Sequence, residues 1–304
     1  MIDLTERRRG LLEMIASMVI MGTVGYFVIE SGLPAYDVVF FRCVFGALFL
    51  GMYCYWRGYF HNSGLTRKTL ALAGLSGVFL VANWVMLFAS FEFASISTST
   101  VIYHTQPLFF VFLGTIFLGD VLTRDKLGWV LVAFIGLVMI VGPDMDGLSF
   151  SSNHLLGVFL AISAAILYAI VSIIVKQLKG IKPHLMAFIQ VSVGGVLLLP
   201  LVNLTLVPTF GDVQWIYLVI LGLFHTCLTY ILMYSAFGKL PTSLIAVLSY
   251  IYPVVAIFVD YAAFGKTLNW MQLAGGAAIL FAGYAVNQNL PILIRSRLSV
   301  RAPK

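Results

Sequence analysis

The chain repeats itself. Residues 91–120, FEFASISTSTVIYHTQPLFFVFLGTIFLGD, fall on residues 237–266, FGKLPTSLIAVLSYIYPVVAIFVDYAAFGK, when the numbering is shifted by 146. The shift puts Phe91 on Phe237, Ser97 on Ser243, Val101 on Val247, Pro107 on Pro253 and Gly119 on Gly265. It also pairs Ser17 with Ser163, Ile20 with Ile166 and Glu30 with Lys176. A repeat of this length constrains the fold before any local signal does, since both copies must build the same unit.

The unit belongs in a membrane. Hydrophobic residues make up 61% of the chain and charged residues 10%, whereas a soluble domain carries about 25% charged residues. A span needs about 20 apolar residues. Such runs lie near residues 11–29, 37–55, 69–89 and 97–118, with a fifth ending at Val141. The second copy has them near 155–175, 184–202, 213–237, 242–264 and 268–287. The expected fold is therefore an all-α membrane protein of ten transmembrane helices. The first copy takes residues 1–143 and the second, with its C-terminal tail, residues 144–304, divided in the polar stretch GPDMDGLSFSSNH. Arg7, Arg8 and Arg9 precede the first run, but that run is of span length and lacks a small-residue cleavage site, so it reads as a helix and not as a signal peptide.

Loop charge gives the expected orientation. With the N-terminus inside and the spans alternating, only Lys266 of the 18 Lys and Arg residues falls outside, and only Arg42 within a span. Basic residues collect on the cytoplasmic side, which also accounts for the net charge of +6 without a nucleic-acid partner. Both termini should be cytoplasmic in a bacterial inner membrane. Five spans per copy then invert the second copy relative to the first, and Glu30 outside answers Lys176 inside. Inverted repeats with a site at their interface are a secondary-transporter architecture. Cys43, Cys54 and Cys227 sit in apolar runs at no metal spacing and read as packing residues. No cluster of catalytic type occurs, so neither an enzyme nor a cofactor is expected.

Two features give the chain a family likeness: VVFFRCVFGAL, with Phe41 and Arg42, in the second span, and the twin endings QPLFFVFLGTIFLGDVLT and YPVVAIFVDYAAFGKTLN. On these the chain resembles the EamA branch of the drug/metabolite transporter superfamily, over about residues 11–287. The resemblance implies ten spans, a central cavity lined by spans one, three, four, six, eight and nine, and export of amino acids, other metabolites or drugs. The acidic residue after the glycine closing spans four and nine is kept at Asp120 and replaced at Lys266.

Counting about 1.5 Å per residue along each span brings a set of groups to similar depth: Asn83, Trp84, Tyr103, His104, Gln106, Tyr168, His225, Tyr230, Ser249, Tyr250 and Tyr252. Polar groups at that depth should face the bundle interior, and aromatic walls with a few hydrogen-bonding tips suit a small-molecule pocket. Blander roles compete: Asn83, Gln106 and Ser249 as bonds between helices, and His104 and His225 as neutral rings on backbone carbonyls. Pro107 and Pro253 should kink their spans and serve as hinges. Arg42 lies near the outer face, where snorkelling is the plain reading and a gate or carboxylate clamp the functional one. Glu13 reads as solvated.

With no charged residue expected at mid-depth, the cavity should suit a neutral or zwitterionic metabolite, amino acids above all, moved by alternating access with export favoured. A cation or multidrug exporter and a nucleotide-sugar carrier share the plan and are the alternatives. Protons are the coupling ion left open, with His104 or His225 to carry them.

Overall fold

A computed structural model of the chain describes residues 4–61, 63–94, 96–141, 152–178, 180–265 and 268–292. Most of the stretch expected to divide the copies, with Lys179, Lys266 and the basic tail, lies outside the described residues.

The first copy folds as α1 (Leu4–Gly22), α2 (Val24–Ser31), α3 (Ala35–Trp56), α4 (Arg67–Phe93), α5 (Ile96–Tyr103), α6 (Gln106–Phe117) and α7 (Arg124–Val141). The second folds as α8 (Ser152–Gln177), α9 (Pro183–Leu198), α10 (Asp212–Gly222), α11 (Thr229–Phe237), α12 (Thr242–Ser249), α13 (Ile251–Phe264) and α14 (Trp270–Asn287). A π-helical segment, Leu223–Leu228, joins α10 to α11. Among the described residues there is no strand. The 146-residue shift carries α5 onto α12 and α7 onto α14 end for end. The repeated Gly119 and Gly265 explain part of this register: both stand in the left-handed region, at φ 67° and 65°, which costs glycine nothing.

Among the described residues, eight helical stretches are long and apolar enough to cross a membrane. They are Leu4–Ser31, Ala35–Trp56, Arg67–Phe93, Thr98–Phe117, His154–Gln177, Pro183–Leu201, Asp212–Phe237 and Thr242–Phe264. α7 and α14 have 18 residues each and fall short of that measure. α7 begins Arg124-Asp125-Lys126, and α14 holds Gly275, Gly276 and Gly283. The chain is a multi-pass membrane protein.

The prolines do more than bend their helices. Proline at position i removes the donor to the carbonyl of i−4 and clashes with it. Counting back four from Pro107 gives Tyr103, where α5 ends; from Pro253 it gives Ser249, where α12 ends. Each expected kink is thus a complete break followed by a new helix.

α7 and α14 cross at glycine. A Cβ on Gly275 would come within 2.4 Å of the Gly136 carbonyl oxygen, and one on Gly136 within 2.7 Å of that of Gly275. In lipid, such close backbone approach is what drives helices together. Replacing Gly275 with leucine should therefore cost about 1–3 kcal/mol of stability and lower the melting temperature of the purified protein in detergent. Gly283→Ala, whose Cβ would meet nothing nearer than 3.7 Å, should not.

Candidate functional site

The breaks in α5–α6 and α12–α13 meet. In a regular helix the Leu108 amide would bond the His104 carbonyl; here it bonds Thr105 O instead, at 2.9 Å. The freed His104 oxygen accepts from the Tyr250 hydroxyl, at 3.0 Å. His104 and Tyr250 are repeat mates, so the bond joins equivalent points of the two copies. Tyr250 is fully buried and packs against Phe134.

Beside this contact lies a cavity of about 290 Å³. Its wall includes five repeat-related pairs: Trp84 with Tyr230, Leu87 with Met233, Phe91 with Phe237, Tyr103 with Ser249, and Gln106 with Tyr252. His104, Tyr168, Pro107 and Arg42 also line it. The lining reaches Val28, Ala35 and Phe91, and Ala35 is exposed, so the cavity runs out toward the end of the bundle where α2 meets α3. At the other end Phe110 and Phe237 stack across it, ring centres 5.8 Å apart at 24°.

Three of the residues chosen to bind substrate, and the hinge Pro253, do not line this cavity. Tyr250 stands behind it, as above. Asn83 is buried and donates to Ala164 O at 2.8 Å, tying α4 to α8, while Tyr103 OH reaches its oxygen at 3.5 Å. His225 Nε2 lies 2.9 Å from the Thr23 hydroxyl, in the gap between α1 and α2, and its ring rests 5.0 Å from Phe27. Pro253 borders a second cavity, of about 420 Å³, between α5, α7, α13 and α14. That space shares Thr100, His104 and Tyr252 with the central one. The His104 and Tyr252 rings, 5.4 Å apart at 31°, stand where the two meet.

Arg42 requires a correction. It does not reach out to the membrane surface: its Nε donates to Thr226 Oγ1 and its Nη2 to the His225 carbonyl, both at 3.3 Å. Both acceptors belong to the π-helical segment, where the i→i+5 pattern displaces carbonyls from their usual donors. Thr226 and Thr229 hydroxyls turn back onto Leu221 O (3.0 Å) and Phe224 O (2.9 Å). The expected uncharged cavity therefore carries one guanidinium, the only Lys, Arg, Asp or Glu side chain on its wall among the described residues. Glu13 is likewise not solvated; its carboxylate pairs with Lys239 and, at 3.0 Å, with Arg9.

Sequence reasoning passed over Ser172, Thr229 and Met233, which line the cavity. Phe91 and Phe237 carried a usable signal, since both were already aligned by the repeat.

Comparison with known proteins agrees with this architecture. The family described as "EamA-like transporter family" matches the chain twice, over residues 8–142 and 155–288. A Bacillus subtilis protein named "Uncharacterized transporter YxxF" is 29% identical over 78% of this chain and 76% of its own. An "Uncharacterized transporter" from Archaeoglobus fulgidus is 26% identical over 90% and 94%. The "Pseudopaline exporter CntI" of Pseudomonas aeruginosa is 26% identical over half of each chain. One crystal structure, 17% identical, superposes with a TM-score of 0.81 over 93% of this chain and 97% of that one, which shows a shared fold.

Removing the hydroxyl that joins the two breaks leaves a buried carbonyl without its donor, a loss of about 1–3 kcal/mol. Tyr250→Phe should therefore melt lower than the parent in detergent. Tyr252→Phe should melt with the parent.

Proposed function

The chain belongs to the EamA-like transporter family of the drug/metabolite transporter superfamily, and from that premise we propose that it carries a small zwitterionic metabolite bearing a carboxylate, most simply an amino acid or a relative of one. The observation that carries this reading is Arg42: a single guanidinium on an otherwise aromatic and weakly polar wall. Arginine matches a planar carboxylate with two parallel donors. Tyr103, Tyr168, Tyr230, Tyr252 and Trp84 offer ring faces and hydroxyl tips to the rest of the molecule, and His104, Gln106 and Ser249 offer hydrogen bonds. Among the described residues the wall has one positive charge and no carboxylate, which disfavours a cationic drug.

The architecture we propose is ten spans, counting α7 and α14, in two inverted copies of five. The double family match and the end-for-end correspondence of α5 with α12 and α7 with α14 support it. On this reading both termini face the cytoplasm, and the cavity alternates between the two sides of the inner membrane. The export direction takes its support from the relative named as an exporter. His104, on the cavity wall, is the better placed of the two histidines to carry a coupled proton.

The test is a thermal-shift screen. A ligand that binds only the folded protein adds about 2.7 kcal/mol at a hundredfold excess over its dissociation constant. Amino acids should raise the melting temperature of the parent, and their methyl esters should not. Arg42→Ala should abolish that discrimination, and Arg42→Lys should keep part of it. Equal shifts from acid and ester in the parent would reject the carboxylate clamp.

A further inference from the structure

Three parts of the chain converge on one turn, residues 237–242, between α11 and α12. Lys176, at the end of α8, donates from Nζ to the carbonyl oxygens of Phe237, at 3.1 Å, and Leu240. Glu13 of α1 accepts from Lys239, the two side chains being only 12% and 15% exposed. Asp120, just past α6, accepts from the Thr242 hydroxyl. α1 comes in close to allow this: a Cβ on Gly10 would lie 2.8 Å from that of Lys239. The charges suit the helix ends they meet, an ammonium on the last carbonyl of α11 and on one in the turn beyond it, and a carboxylate at the first turn of α12. The Phe110–Phe237 stack that closes the cavity begins at this same turn.

The repeat does not copy these groups. The shift of 146 carries Lys176 back to Glu30, Lys239 back to Phe93, Glu13 on to Phe159 and Asp120 on to Lys266. An ionised glutamate has no proton to give a carbonyl, two phenylalanines make no ion pair, and a lysine cannot accept from a hydroxyl. An equivalent closure on residues 91–96 would therefore lack every one of these bonds.

A separate observation agrees. Ile257, Leu268 and Gln272 border the second cavity, of about 420 Å³. Their mates Val111, Leu122 and Lys126 border a space of about 40 Å³, which Asp120 and Thr242 also line. One copy's flank is open and the other's is shut where the Asp120–Thr242 bond lies.

We infer that Glu13, Asp120 and Lys176 form a lock on the α11–α12 turn, present in one copy only, which holds the cavity closed at this end and must release for transport. The lock gives alternating access its closed end, and in that respect rests on the function proposed above. Its test needs no substrate, so its failure would leave the assignment of the cavity untouched.

The reporter is a cysteine at Leu244, fully buried on α12. Labelling by a water-soluble maleimide is followed in the full-length protein in nanodiscs, against the parent, whose three cysteines are buried. Lys176→Met should speed labelling by about tenfold, the worth of a hydrogen bond from a charged group, and Glu13→Gln and Asp120→Asn should act in the same direction. A second reporter, Ala35→Cys, at the far mouth, should keep its rate. Exchanging the pair, Glu13→Lys with Lys239→Glu, should return Leu244→Cys toward the slow rate. Unchanged labelling at Leu244 in all three single variants would overturn the lock. So would a parallel rise at both reporters that the exchange does not reverse, since that is a loosened fold.

Discussion

In lipid, a carbonyl that loses its helical donor has no water to turn to. Proline at 107 and 253 creates that loss twice, at equivalent points of the two copies. Beside the Pro107 break the His104 oxygen also loses its donor, because the Leu108 amide turns to Thr105 O, and the Tyr250 hydroxyl of the other copy replaces it at 3.0 Å. Two broken helices must therefore sit side by side, and the groups flanking the breaks are brought to a common centre. Five pairs of the cavity's lining residues are repeat mates for this reason. The cavity is where the two copies face each other across their weakest backbone.

Around that shared centre the copies differ, and the differences carry the chemistry. Arg42 answers to Phe188 in the other copy. Its guanidinium is held by a π-helical segment that the first copy lacks, since α4 runs unbroken through the equivalent residues. The lock on the α11–α12 turn is equally one-sided. Duplication supplied the frame, while the Arg42 guanidinium and the polar bonds on the α11–α12 turn each lack a counterpart in the other copy's sequence. A carrier with identical halves would have no preferred state, and under the proposed lock the bonds on this turn are what would supply one.

Much of the frame was legible because period and punctuation are local signals. Apolar run length, the repeated prolines and the repeated glycines located the helices and both breaks, and VVFFRCVFGAL with the twin endings pointed to the family. What escaped reading was tertiary. Nothing in LFHTCL announces a π-helix, so nothing told that His225 would present a carbonyl to Arg42. Depth along a span ranked Tyr250 with the cavity residues, but depth does not say which face of a helix is inward. Rotation about the helix axis put Tyr250 behind the wall and Tyr252 on it. Glu13 looked solvated because it lies near a helix start, and its burial depends on Lys239, 226 residues away.

The central claim is that the second copy is turned over relative to the first, so that the two breaks meet head to head. Glu92 and Gly238 are repeat mates, and both are exposed. Each is replaced singly by cysteine and labelled with a membrane-impermeant maleimide, in intact cells and after permeabilisation. The account predicts that Glu92→Cys reacts in intact cells and that Gly238→Cys reacts only once the membrane is opened. Labelling of both from the same side would contradict it.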